Sequence, residues 1–146
     1  MKERNVHFMS NDQTWETPID FYNELNKEFG FTLDPCCSLK TAKCEKFYTV
    51  KENGLVQDWG KEVVFMNPPY GREQIEWIKK AYNESLKENT IVVCLIPSRT
   101  DTKVWHDIIF PYAEVRFLKG RLKFGNSKNA APFPSALVIF GKSDKK

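Results

Sequence analysis

Short apolar runs and segments with helical spacing alternate along the chain. Continuous apolar runs of four to eight residues predict buried strands, and apolar residues spaced three or four apart predict helices. The predicted strands span 31–33, 46–50, 63–66, 91–96, 113–118 and 135–140, and the predicted helices span 18–29, 73–86 and 101–110. This alternation predicts an α/β fold, with a mostly parallel sheet and helices on both faces.

The first predicted helix has a clear start. Phe21, Leu25 and Phe29 fall four residues apart and would share one face. Thr17 suits the N-cap because its hydroxyl can accept a backbone N–H, and Pro18 suits the first helical position.

Three loops are the best candidates for chemistry. The segments 34–35, 67–70 and 97–100 each follow an apolar strand directly. In open α/β sheets, ligands bind beyond the carboxyl ends of the strands. The three loops should therefore meet along one edge of the sheet.

The sharpest motif is Asn67-Pro68-Pro69-Tyr70, directly after the run 63–66. Two prolines end the strand and stiffen the backbone, so Asn67 projects from its tip. The Asn67 amide oxygen and the Pro68 carbonyl are two acceptors that suit a planar NH2 group, and Tyr70 can stack on the ring that carries it. The plainer alternative is an ordinary strand-to-helix turn punctuated by proline.

Length, charge and cysteine usage limit the function classes. The 146 residues make one domain, with 1–13 and 143–146 expected to be flexible, and the net charge of +3 permits nucleic-acid binding without requiring it. Cys36, Cys37, Cys44 and Cys94 lack the paired spacing of a zinc site, so we expect reduced thiols and no metal. A metal site on the first three of these is the alternative. No apolar stretch approaches ~20 residues and no signal peptide is visible, so we expect a cytoplasmic protein without a membrane partner.

The Asn-Pro-Pro-Tyr motif resembles the catalytic motif of amino methyltransferases, and the rest of the chain resembles the small phage-type DNA N6-adenine methyltransferases. The resemblance runs from about Trp15 to Gly141. Besides the Asn67 motif, it rests on Trp15-Glu16-Thr17-Pro18, Leu33-Asp34-Pro35-Cys36, Ala42-Lys43-Cys44, Gly54-Leu55-Val56-Gln57-Asp58-Trp59, Pro97-Ser98-Arg99-Thr100-Asp101-Thr102, Gly120-Arg121-Leu122-Lys123-Phe124 and Ala131-Pro132-Phe133-Pro134-Ser135-Ala136-Leu137.

This resemblance implies a reduced Rossmann-like fold that binds S-adenosylmethionine and methylates the exocyclic amine of a flipped-out adenine in DNA. It implies a protein of the cytoplasm, the host's if phage-encoded, acting as a monomer or a homodimer. The residues it implies for the cofactor are Thr17, Pro18, Asp34, Pro35, Cys36, Asp58, Trp59 and Asn67. Three of these residues have a structural alternative: Thr17 could be a helix cap, Asp34 could be a carboxylate hydrogen-bonded within the fold, and Trp59 could belong to the core. Glu52 is a candidate for binding the ribose of the cofactor, from its position after the second predicted strand alone.

For the substrate, the resemblance implies that Tyr70 and Phe133 cover the two faces of the flipped base. Phe124 competes with Phe133 for that role, and either ring could be core. Arg99, Arg121 and Lys123, with Arg116 and Lys119, are the candidates for phosphate contacts, which give affinity without sequence information.

The chain departs from the family pattern in two ways. No glycine follows Asp34, although the first cofactor loop is glycine-rich in the wider superfamily. Nothing is long enough to be a target-recognition domain, so specificity is low, comes from the loops 68–74 and 119–134, or needs a dimer. The alternatives are an RNA adenine or protein glutamine methyltransferase and a degenerate module that only holds DNA.

Overall fold

The computed structural model describes residues 16–124 and 131–141. Its centre is a sheet of four strands, and the order across the sheet is β1-β2-β4-β3. The strands are β1 (Val63–Met66), β2 (Ile91–Pro97), β3 (Glu114–Phe117) and β4 (Ser135–Phe140). The segments 1–13 and 143–146, which we expected to be flexible, lie outside the described residues.

The sheet is mixed, so the prediction of a mostly parallel sheet was wrong. β1 and β2 are parallel, with Val63 opposite Ile91. β4 is antiparallel to both of its neighbours, β2 and β3. A parallel neighbour needs a long crossover, whereas a chain that turns back gives an antiparallel pair, and no helix lies between β3 and β4 in the described part of that connection.

Helices cover both faces of the sheet, as predicted. Side chains along each strand alternate between the faces because the strand period is two. One face buries Phe65, Val93, Leu95, Leu137 and Ile139 against Tyr22 and Leu25 of α1 (Ile19–Phe29). The other face buries Val64, Met66, Val92, Cys94, Ile96, Val138 and Phe140 against Trp77, Ile78 and Ala81 of α2 (Glu73–Ser85) and against Trp105 and Ile109.

The remaining helical segment, 103–112, is irregular. A π-helical turn (Trp105–Ile109) leads into a single α-helical turn, α3 (Phe110–Tyr112). Among the described residues, no helix is both long and apolar enough to cross a membrane.

The predicted strands 31–33 and 46–50 are reduced to two isolated bridges. Leu33 pairs with Val64, and Asp34 pairs with Phe47, both in parallel. These bridges prolong the sheet beyond β1 and hold Asp34 beside it.

The start of α1 corrects the predicted cap by one residue. Its N-cap is Pro18, which makes no side-chain cap, and Ile19 is the first helical residue. Thr17 lies one residue before the N-cap, and its hydroxyl oxygen accepts a hydrogen bond from the Asn67 amide.

Candidate active site

A cavity of about 880 Å³ opens where β1 ends. The segment after Asp34, the turn near Gly54, the start of α2 and the Asn67 motif form its walls. Of the three predicted loops, 34–35 and 67–70 meet here, whereas 97–100 does not reach the cavity wall. The predicted residues on the wall are Thr17, Asp34, Pro35, Cys36, Asn67, Pro68, Pro69 and Tyr70.

Asn67 is held by a residue that lies far from it in the chain. Its Nδ2 donates to the Thr17 Oγ1 over 2.9 Å, and Thr17 is buried. Thr17 lies on the wall of the cavity, and Pro18 does not. The pair joins the entry to α1 with the tip of β1.

Asp34 is a buried carboxylate at the end of the bridge to β1. Its Oδ2 accepts from the backbone N–H of Lys43 over 3.0 Å, and its Oδ1 accepts from that of Cys36 over 3.4 Å. Burial raises the pKa of Asp34 to about 6, and the two backbone donors limit the rise because they stabilise the ionised form.

An ion pair that sequence reasoning missed lies on the same wall. Lys43 Nζ is 3.0 Å from Glu16 Oε2, and the Lys43 side chain is only 8% exposed. The two residues are 27 positions apart, and no spacing rule predicts such a pair.

Gly54 is the second feature that sequence reasoning missed. It begins a 3-10 turn (Gly54–Val56) after Asn53, whose left-handed φ of 60° is supported by a side chain that accepts from the Leu55 N–H. A Cβ on Gly54 would lie 2.1 Å from the Pro35 carbonyl oxygen. Only glycine therefore lets this turn pack against the Asp34 loop.

The structure does not bring Asp58, Trp59 or Glu52 to the cavity. The Asp58 side chain is 79% exposed and pairs with Lys87 at 2.8 Å, a hydrogen bond that holds its pKa below the usual range. Trp59 is a fully buried core residue. Glu52 points its carboxylate at the N–H and hydroxyl of Thr49.

Tyr70 and Phe133 do meet, although Phe133 does not reach the cavity wall. Their ring centroids are 5.2 Å apart at an interplanar angle of 79°, an edge-to-face contact. Phe133 is buried, and Phe124 packs behind it with centroids 6.2 Å apart. The Arg99 guanidinium lies 5.8 Å from the centroid of Phe133. Burial raises the pKa of the Tyr70 hydroxyl above its usual value.

Of the five cationic residues predicted to contact phosphates, Arg99, Lys119, Arg121 and Lys123 are exposed, whereas Arg116 forms ion pairs with Glu28 and Glu114. Arg99, Arg121 and Lys123 form no ion pair among the residues that the structure describes. Their charges are therefore open to an anionic ligand.

The cavity itself is acidic. Its wall carries Glu16, Asp34, Glu73 and Glu76, against two lysines at 40 and 43. Such a wall favours a ligand with positive groups, and it disfavours the phosphates of DNA. Within 16–124 and 131–141, no three His, Cys, Asp or Glu side chains cluster as metal ligands would.

Comparison with known proteins identifies the family. Residues 5–141 match the model of the DNA N-6-adenine-methyltransferase (Dam) family. The chain is 29% identical over 140 residues to the DNA N-6-adenine-methyltransferase of Haemophilus phage HP1 (strain HP1c1), covering 90% of this chain and 80% of the phage protein. It is 38% identical over 63 residues to a protein of Escherichia coli (strain K12) named "Putative methyltransferase YfdM", covering 38% of this chain and 69% of that protein. The family match spans nearly the whole chain, and the chain therefore belongs to the DNA N-6-adenine-methyltransferase (Dam) family.

Proposed function

We propose that the chain transfers a methyl group from S-adenosylmethionine to the N6 amine of adenine in DNA, and that the cavity beside Asn67 is the site of transfer. The position of Asn67 carries this proposal. It lies at the tip of β1 on the cavity wall, with its amide nitrogen bonded to Thr17. The family to which the chain belongs supplies the reaction class.

The cavity fits the cofactor in size and in charge. Its volume of about 880 Å³ is in the range of small-molecule sites. S-adenosylmethionine carries an ammonium and a sulfonium group, which suit a wall rich in carboxylates. When bound, it supplies an electrophilic methyl group.

We assign the cofactor contacts to the wall formed by Asp34, Pro35 and Cys36. Asp34 is mostly ionised at pH 7, because its pKa is about 6, so it can pair with an ammonium group. Asp58 and Trp59 lie outside the wall, so this proposal gives them no direct contact.

Asn67 and Pro68 would polarise the target amine. The Asn67 Oδ1 and the Pro68 carbonyl oxygen can each accept a hydrogen bond from one of its two N–H groups, which concentrates the nitrogen lone pair and makes a weak nucleophile more reactive. Asn67 is an amide and therefore no base, so the proton that the nitrogen releases after transfer must leave to water.

The target base must be flipped out of the duplex to reach Asn67, at a cost of a few kcal/mol. Tyr70 lies on the cavity wall and offers a ring face for the base. Because Phe133 is buried and meets Tyr70 edge to face, no slot separates the two rings. We propose that Tyr70 stacks on the adenine and that Phe133 holds Tyr70 in place.

The exposed cations would hold the DNA backbone. Arg99 lies over Phe133, and Arg121 and Lys123 lie on the connection between β3 and β4. We propose that they contact phosphates, and that the chain acts in the cytoplasm as a single methyltransferase domain, as a monomer or a homodimer.

Incubation with S-adenosylmethionine labelled in its methyl group tests the proposal. The acceptors are unmethylated DNA and, in parallel, RNA and protein, followed by analysis of the products. Label in N6-methylated adenine of DNA is the expected result. Label only in RNA or protein would overturn DNA as the acceptor, and cofactor binding with no label anywhere would favour a degenerate binding module.

A further inference from the structure

We propose that Thr17 is a positioning residue that holds the Asn67 amide at the tip of β1, and that the ion pair between Glu16 and Lys43 fixes Thr17 in place. The inference rests on the proposed role of Asn67 as an acceptor for the target amine.

The oxygen of an asparagine amide can accept a hydrogen bond from the N–H group of an amine, so the position of this oxygen decides whether Asn67 can polarise the target. The Thr17 Oγ1 accepts from Asn67 Nδ2 over 2.9 Å. Since the amide is planar, fixing its nitrogen also fixes its oxygen.

Thr17 is suited to this task because its hydroxyl does not cap α1. The helix begins at Ile19 with no side-chain cap. Thr17 is 3% exposed, so little water can take the place of its hydroxyl. A buried and fixed acceptor constrains the amide better than solvent does.

The ion pair holds the segment that carries Thr17. Glu16 pairs with Lys43 at 3.0 Å, and the backbone N–H of Lys43 donates to Asp34 Oδ2 over 3.0 Å. Successive contacts therefore run from the amide of Asn67, through Thr17 and its neighbour Glu16, to the carboxylate of Asp34. The two ends of the proposed site share one framework.

The rival role for Thr17 is direct contact with the methionine part of the cofactor. The two roles predict different measurements. Loss of a cofactor contact raises the Kd for S-adenosylmethionine, whereas loss of orientation lowers kcat at saturating cofactor and leaves that Kd unchanged.

Thr17→Val separates these roles, because valine keeps the shape of threonine and removes the hydroxyl. We expect kcat to fall about 10-fold, the effect of one lost hydrogen bond, with an unchanged Kd for S-adenosylmethionine by titration calorimetry. Thr17→Ser restores a hydroxyl and should recover most of kcat. A wild-type kcat in Thr17→Val, or a raised Kd that accounts for its loss of activity, would overturn the positioning role.

Glu16→Gln tests the anchor and should lower kcat a few-fold with the same Kd. Glu24→Gln is the matched control, because its ion pair with Lys27 is exposed on α1 and lies within one helix. Equal kcat in these two variants would contradict the anchor. Thermal unfolding of each variant checks that it folds. If the wild-type protein transfers no methyl group, the proposed function is wrong. If the wild type is active, Asn67→Ala is inactive and Thr17→Val is fully active, only the positioning role of Thr17 is wrong.

Discussion

Two aspartates near the site, Asp34 and Asp58, differ in their exposure, their hydrogen-bond partners and their position relative to the cavity. Asp34 is 3% exposed and accepts two backbone N–H groups, and it lies on the cavity wall. The Asp58 side chain is 79% exposed and pairs with a surface lysine. Burial of a carboxylate costs free energy, and the two backbone donors hold this one in a fixed position. Of the two aspartates, only Asp34 is therefore suited to bind a ligand.

Removal of the Asn67 amide tests the chemistry without removing the cofactor site. In Asn67→Ala, we expect transfer to DNA to fall by at least about 100-fold, the scale seen when one preorganised hydrogen-bonding group is lost from an active site. The Kd for S-adenosylmethionine should stay within a few-fold of wild type, as measured by calorimetry. Intact turnover in this variant would contradict the assignment.

The raised pKa of Asp34 predicts how its contribution to stability changes with pH. Burial raises this pKa from 3.8 to about 6, so between these values the folded protein holds a proton that the unfolded chain has released. The free energy of unfolding therefore falls as pH rises from about 4 to 6, by roughly 3 kcal/mol from this group, and is level above 6.

Asp34→Asn should lose this part of the pH dependence, whatever its effect on absolute stability. Urea unfolding at several pH values between 4 and 8 measures it. Asp20→Asn, on the exposed side of α1, is the control and should follow wild type. Parallel curves for wild type and Asp34→Asn would show that Asp34 does not titrate in this window.

The turn at Gly54 and the core residues behind it together support the cavity wall. The turn Gly54–Val56 packs against the Asp34 loop, and the Trp59 Nε1 donates to the Gly54 carbonyl over 3.0 Å. Trp59 stacks on Trp77 of α2 with centroids 6.3 Å apart. Trp59 therefore supports the cavity wall through Gly54 and Trp77, although it does not itself line the cavity.

Gly54→Ala should push this turn away from the Asp34 loop. The new Cβ would lie 2.1 Å from the Pro35 carbonyl oxygen, which is backbone and cannot move aside alone. We expect a loss of about 1–3 kcal/mol in the free energy of unfolding, with weaker cofactor binding.

Gly60→Ala is the matched control, because its Cβ would meet only side-chain atoms of Asp58 and Lys87, at 3.1 Å and 3.3 Å. Its stability should stay within about 0.5 kcal/mol of wild type. Equal losses in the two variants by urea unfolding would contradict the role given to the Gly54 contact.

The strands were predictable where burial on both faces makes them continuously apolar. Val63–Met66 and Ser135–Phe140 match their predicted bounds. Strand direction was not predictable, because the apolar pattern of β4 is the same whichever way it runs. The runs 31–33 and 46–50 were overestimated for a related reason: few neighbours pair with them at the edge of the sheet.

Some features of the candidate site could likewise be predicted from the sequence, and others could not. The Asn67 motif is local, so its residue order predicts its place at a strand tip. The contacts of Thr17 with Asn67 and of Glu16 with Lys43 join distant segments, and only the fold creates them. The family resemblance implied Asp58 for the cofactor, but a motif does not determine which side of a turn a carboxylate faces.

Charge is divided between the inside and the outside of the molecule. The chain has a net charge of +3, yet four carboxylates line the cavity. The excess of positive charge therefore lies outside the cavity, where Arg99, Arg121 and Lys123 are exposed without carboxylate partners among the described residues. This division suits a molecule that binds a cationic cofactor within and a polyanion at its surface.

The salt dependence of DNA binding tests whether the exposed cations contact the phosphates. If Arg121 and Lys123 each neutralise one phosphate, Arg121→Ala and Lys123→Ala should each reduce the slope of log K against log salt by about 0.9 on duplex DNA. Binding should weaken by a similar factor for all sequences, and the Kd for S-adenosylmethionine should not change. Lys27→Ala removes an equal charge from α1, where the lysine pairs with Glu24, and should leave the slope unchanged. An equal change of slope in all three variants would mean that the DNA responds to net charge alone, and that the connection between β3 and β4 is not where the backbone binds.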